Sequence, residues 1–291
     1  VRFSEEKVLQ GQQLTNKLWN AARLILLGIE PGARPGPVAS SAVEDRWIIS
    51  RLARAKAEVR GRIERYDFSH AALALYDFVY GELCDWYLEL VKPRLRDHDS
   101  DAELTLLHVL VETVSLAHPI IPFVTEEIYA HIPGVEGLLA AGIESPPETI
   151  DEEAEAALER TIAAVQAIRG WRAVSEVKAG AIIPARLAAG GYEDTAGQVE
   201  RLARLAFSPD GGDPVASVAV PGGAIEILPT DELDPGAAEK KRAAERAKLE
   251  AEIARAEAKL ANQGFVAKAP EHVVAAEREK LARLRAELEA L

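Results

Sequence analysis

The segment "LTNKLWNAARLILL" carries Asn16, Asn20 and Arg23 at spacings of four and three, which in a helix brings all three side chains to one face. Lys17 and Trp19 flank that face. Two amides and a guanidinium supply donors and acceptors for base edges or phosphates, and an indole stacks on an unpaired base for about 1 to 3 kcal/mol. The group is a candidate nucleic-acid-reading surface. The same residues also fit a packing role, with Trp19 in a core and the asparagines bonded to neighbouring helices; residue types leave both readings open. A second candidate set is cationic: between positions 46 and 65 stand seven basic residues against two acidic ones, Arg46, Arg51 and Arg54 among them. They spread around much of a helix, so only some can face a polyanion while the rest are solvated.

Other chemistry is missing. The sequence has no G-x-x-x-x-G-K-[ST] loop, no G-x-G-x-x-G after a strand, no G-x-S-x-G elbow and no H-E-x-x-H. The carboxylates between 144 and 159 lie on or beside an amphipathic helix and read as a solvated face, so no catalytic residue is expected. One cysteine, Cys84, and six scattered histidines (70, 98, 108, 118, 131, 272) give no ligand cluster at zinc spacing, and no metal is expected. No apolar run reaches the roughly 18 residues of a membrane helix, and the N-terminus lacks a secretory pattern; the expectation is a cytoplasmic chain. It begins at Val1 and has no Met in 291 residues, as a piece of a longer protein or a processed one would.

The net charge of −13 is unevenly laid out. Residues 101 to 160 hold thirteen acids against one arginine, whereas 1 to 96 carry an excess of three positive charges and 239 to 291 an excess of two. A polyanion would meet the two ends and avoid the middle.

The elements that must position these groups are mainly α. Ser4 can cap a helix to about Leu27, which the loop "GIEPGARPGPVASS" ends. Ser41 with Glu44, Ser100 with Glu103 and Thr149 with Glu152 form capping boxes for later helices. A long apolar helix after Asp67 stops near Pro93, another must end before His118 and Pro119, and "FVTEEIYAHI" follows. Five helices with short connections read as an up-and-down bundle. After the helix through Ile168, "AGAIIPARLAAG" reads as a strand, "DTAGQVERLARLAF" as a helix, and "VASVAVPGGAIEIL" as a hairpin turning at Pro221 to Gly223. Towards the end, Leu249, Ile253, Ala256 and Leu260, then Leu281, Leu284, Leu288 and Leu291, make two apolar seams interrupted by Gly264, Phe265 and Pro270. Two seams with such a break predict an antiparallel coiled-coil hairpin, Phe265 plugging the turn. The expected domains are 1–148, 149–232 and 233–291.

The stretches "NKLWNAARLILL", "RYDFSHAALALYDFVYGELCDWYLELVKPRL", "HPIIPFVTEEIY" and above all "LANQGFVAKAPEHVVAAEREKL" resemble the C-terminal half of bacterial valyl-tRNA synthetase, a class I aminoacyl-tRNA synthetase. The resemblance covers nearly the whole chain. It implies a helical-bundle anticodon-binding domain, a small α/β connecting module and a coiled-coil arm that rests on the outer corner of tRNA(Val). It also implies that the catalytic and editing domains lie upstream in cis, that ATP is a cofactor of the full-length enzyme and not of this chain, and that this chain is inactive alone. The implied RNA-binding residues are Asn16, Lys17, Trp19, Asn20 and Arg23 for the anticodon region. Arg46, Arg51, Arg54, Lys92, Arg94, Lys241, Arg242 and Lys268 are the implied phosphate partners. A monomer is expected. The mostly apolar "AGAIIPARL" and Pro235 depart from the family pattern. A helical interaction module that binds no tRNA, or a coiled-coil dimerisation protein, is the alternative.

Overall fold

The computed structural model of the chain describes residues 5–30, 32–36, 38–141, 149–230, 237–261, 278–281 and 283–284. They pack as two compact units: residues 1–163 with 190–199, and residues 164–189 with 200–291.

In the first unit, Leu14, Leu18, Ala21, Ala22 and Ile25 recur every three or four positions and are all buried, which sets the inner face of α1 (Glu5–Gly28). Helix α2 (Val43–Glu64) buries Trp47, Ile48, Leu52, Ala55 and Val59 by the same spacing. A continuous helical run follows: α3 (Phe68–Asp77), a π-helical stretch (Phe78–Tyr87) and α4 (Leu88–Arg96). The π stretch turns Val79, Leu83 and Tyr87 inward at intervals of four, so its wider turn keeps one apolar stripe on the core. The run passes Pro93 and ends at Arg96, beyond the stop placed near Pro93 by the sequence. Proline in the final turn removes a single backbone bond. Helix α5 (Ser100–Ala117) is the central element, with thirteen buried residues, and α6 (Pro122–Ala130) begins at a proline suited to a first helical turn.

Two of the three capping boxes give way to aspartates, and the third helix start has no side-chain cap. Helix α2 starts after Ala42 without a side-chain cap. Helix α5 is capped by Asp99, whose carboxylate accepts from the N–H groups of Asp101 and Ala102. Helix α7 (Glu152–Val174) has Asp151 before it, accepting from the Ala154 N–H at 2.9 Å. An aspartate accepts the same orphan N–H groups as serine and adds a charge that the helix N-terminus favours. Of the glutamates, Glu44 is held elsewhere, by Arg94. Segment 190–199 closes on the first unit through Thr161, which donates to Thr195 at 2.7 Å, and Arg160, which donates to the Gly191 carbonyl at 2.7 Å.

In the second unit, β1 (Ile183–Ala189), β2 (Leu205–Phe207), β3 (Ala216–Val220) and β4 (Gly223–Ile227) form a mixed sheet in the order β2-β1-β4-β3. Strands β1 and β2 are parallel, joined through α8 (Ala196–Ala203); β1 with β4 and β3 with β4 are antiparallel. The β3–β4 turn is Pro221-Gly222, and Gly222 at φ +84° takes the conformation that the second central position of such a turn requires. Strand β2 corrects the sequence reading, which ran the preceding helix through it. Arg204 at φ +54° ends α8, and β1 supplies a parallel partner. Arg172, buried at the end of α7, donates to the carbonyls of Lys178 and Ala181, tying that end to the approach to β1. Helix α9 (Ala237–Ala261) carries the first apolar seam, and residues 278–281 and 283–284 are helical again. Ala256 and Leu284, one from each seam, are both buried. The interruption itself, with Gly264, Phe265, Lys268 and Pro270, lies outside the described residues. No helix among them is long and apolar enough to cross a membrane.

Candidate nucleic-acid interface

At about 100° per residue, the buried positions of α1 centre on one side, and Asn16, Asn20, Arg23 and Leu27 fall directly opposite. Asn16, Asn20 and Arg23 are all exposed. Among the described residues, no hydrogen bond or ion pair holds any of the three. The residues expected on one face are therefore on one face, and it points to solvent.

Trp19 settles between its two readings. It is 40% exposed, its indole standing edge-on to His131 with ring centres 6.3 Å apart. Together with Arg23, Leu27, Ile128 and His131 it lines a groove of about 190 Å³. The groove gives a planar base an apolar wall with a guanidinium at its rim, the arrangement by which single-stranded bases are stacked and oriented. His131 and Ile128 were not foreseen as site residues. They lie more than a hundred positions downstream, and a histidine just past the end of α6 carries no signal of its own.

Lys17 is half-buried and already engaged. Its Nζ lies 3.2 Å from Asp85 Oδ1 and 4.8 Å from the centre of the Tyr80 ring, which stacks on Tyr76. Burial is the largest single effect and acts against its charge, but the bond to Asp85 and the neighbouring Cys84, Asp85 and Tyr80 together outweigh it, and its pKa is raised.

The arginines of α2 have partners too. Arg46 Nε donates to Asp151 Oδ2 at 2.7 Å, and that bond holds the Asp151 carboxyl below its ordinary pKa. Arg51 Nε donates to Glu82 at 3.0 Å, although burial dominates at Glu82 and raises its pKa. Arg54 Nε donates to Glu155 at 2.7 Å; burial opposes the charge of Glu155, yet Arg54 and Ser50 together lower its pKa. Ser50 is the hinge of this cluster, donating to Glu155 at 2.7 Å and accepting from the Asp151 N–H at 2.9 Å. It thereby joins the first half of α2 to the start of α7. Arg94 reaches furthest inward, to Asp45 Oδ2 at 2.7 Å, Asp99 at 2.8 Å and Glu44 at 3.1 Å, while the Tyr87 hydroxyl donates to the other oxygen of Asp45 at 2.8 Å. Lys92 is exposed and pairs with Glu89 one turn away. Lys241 and Arg242 lie in α9, their side chains outside the described set, as is all of Lys268.

An exposed helix face of amides and an arginine beside an aromatic groove is a candidate RNA-recognition surface. Residues 45–186 match the anticodon-binding domain of tRNA ligase, and residues 237–291 match the valyl tRNA synthetase tRNA binding arm. The chain belongs to the valyl-tRNA synthetase family. It is 35% identical to a valine--tRNA ligase of Dehalococcoides mccartyi over 96% of its length, and 34% identical to that of Dechloromonas aromatica over all of it. The corresponding protein of Streptomyces coelicolor is 35% identical over 97% of the chain. The chain spans about a third of the length of these curated relatives, 34%, 34% and 33% in turn.

Proposed function

We propose that this chain is the tRNA-recognition part of a valyl-tRNA synthetase. The bundle meets the anticodon of tRNA(Val), and the C-terminal arm meets the outer corner of the folded tRNA. The observation that carries this reading is the α1 face: Asn16, Asn20 and Arg23 exposed and unengaged, next to the half-exposed Trp19. Lys92, Lys241, Arg242 and Lys268 contribute phosphate contacts. Arg46, Arg51, Arg54, Arg94 and Lys17 act on recognition by holding the helices that present the face. A length of one third of the relatives supports a C-terminal fragment, whose catalytic and editing domains belong upstream in cis and whose ATP is used there. The fragment is a cytoplasmic monomer that does not activate valine by itself.

A titration of the full chain with tRNA(Val), tRNA(Ile) and an anticodon-substituted tRNA(Val), repeated across salt concentrations, tests the proposal. Each phosphate neutralised steepens the log–log salt dependence by about 0.7 to 0.9. Asn20→Ala and Arg23→Ala each weaken tRNA(Val) binding by about 1 to 3 kcal/mol with unchanged thermal stability. Affinity indifferent to both anticodon and salt would sink the reading.

A further inference from the structure

We infer that Glu30, His98 and Glu103 form a binding site for one divalent transition-metal ion, of the zinc or cobalt type. Each offers one ligand atom, and the three atoms lie within 4.8 Å of one another. His98 Nδ1 is 2.6 Å from Glu30 Oε1.

The observation that points to a ligand is Glu103. It is 5% exposed, and its Oε1 is buried without a hydrogen-bond partner. A carboxylate oxygen removed from water and given no donor is strongly disfavoured unless a cation or a proton meets it. Both neighbouring ligand groups are on the solvent side, with His98 and Glu30 exposed, so an ion has a path in.

The donor set selects the class of ion. One imidazole nitrogen with two carboxylate oxygens suits zinc, cobalt or manganese, whereas calcium and magnesium prefer oxygen throughout. Three protein ligands leave a position for water, as in open rather than closed zinc sites. The sequence hides the cluster because Glu30 stands in the proline-rich connection after α1, far from the other two in sequence. The turn between α4 and α5 brings them together. His98 occupies it at φ +54°, and Glu103 follows on the first turn of α5 behind the Asp99 cap. An ion held there fastens the connection leaving α1 to the start of the central helix. This inference does not depend on tRNA recognition.

The test uses the full chain stripped with EDTA. Zinc is added in a calorimetric titration and in thermal melts, and cobalt is added to read ligand geometry from its visible absorption. The expected result is one ion per chain, a rise in melting temperature, and a cobalt spectrum of low coordination number. Glu103→Gln and His98→Asn each weaken binding by more than about tenfold, the scale on which losing even a ligand's supporting hydrogen bond acts. Asparagine tolerates positive φ, so His98→Asn keeps the turn even where Glu103→Gln disturbs packing. Absence of ion uptake by the parent chain overturns the inference, as does uptake that survives in both variants.

Discussion

Arg94 is the position where a binding role and a structural role make opposite forecasts. Its guanidinium is the cation for Asp45, which is fully buried, and for Glu44, which is 6% exposed. Arg94→Met keeps the reach of the side chain and removes the charge. Among the described residues, Asp45 then retains only the Tyr87 hydroxyl, and Glu44 only the amide of Gln198 at 2.8 Å. Removing one partner of a buried ion pair costs about 3 to 5 kcal/mol, and with Arg94 itself 21% exposed the lower end applies. For a unit of this size that is a fall in melting temperature of roughly 6 to 12 °C. Urea and thermal unfolding measure it directly. The pH dependence adds an internal check. The Arg94 bond, ahead of burial in effect, holds Asp99 below its ordinary pKa. A depressed carboxyl stabilises the fold above its unfolded pKa of about 3.9, and that contribution is lost as pH falls through the lower folded value. The gap between parent and variant is therefore full at neutral pH and narrows below about pH 4. A cost under about 1 kcal/mol, typical of exposed pairs, would refute the argument. So would unchanged stability with weakened tRNA binding, which would make Arg94 an RNA contact.

Three further outcomes follow from single sites. Ser50→Ala removes the donor to Glu155 and the acceptor of the Asp151 N–H, and costs about 1 to 3 kcal/mol in equilibrium unfolding; a neutral result would mean water replaces the hydroxyl. Burial pushes the Cys84 thiol up to about 11, with Lys17 opposing, so at pH 8 it reacts with a disulfide reagent about 100-fold more slowly than an ordinary cysteine and speeds up with rising pH until about 11. A rate that levels near pH 9 would show the thiol is solvated. Gly223→Ala places a methyl 2.3 Å from the Ala188 carbonyl at φ +150°, which parts β4 from β1; hydrogen exchange at the β1–β4 ladder should rise sharply, and protection unchanged from the parent would show that the strands yield.

What could be read in the sequence was what repeats within a helix turn. The five bundle helices are legible because the apolar spacing of Leu14, Leu18 and Ile25, or of Ile48, Leu52 and Val59, already defines a buried stripe. The exposed α1 face is legible for the same reason, as it is the complement of that stripe. The helix starts were misplaced because the nearby aspartates Asp99 and Asp151 compete with Ser100 and Thr149 as caps, while Glu44 is drawn to Arg94 by a contact from fifty positions away. Strand β2 has only three residues, and an isolated Leu-Ala-Phe says nothing of the parallel partner that makes it a strand. The groove at Trp19 needed Ile128 and His131 from α6 and its end, a non-local arrangement outside the reach of spacing.

The charge map is where sequence and structure diverge most, and the divergence bears on recognition. Read along the chain, the basic stretch at 46–65 and the acidic one at 101–160 look like separate surfaces, one for a polyanion and one turned away from it. In the fold they are partners: Arg46 with Asp151 and Arg54 with Glu155, while Arg51 turns to Glu82. Arginines paired in this way release no counterion when RNA arrives, so they should not steepen the salt dependence. Substituting Arg46, Arg51 and Arg54 together by glutamine should lower stability and leave the salt slope of tRNA binding unchanged. Three phosphate contacts at these positions would instead flatten that slope by about 2 to 3. The measured change thus decides whether the bundle holds the nucleic acid by its general charge or, as the free face of α1 argues, by a few polar groups beside an aromatic wall.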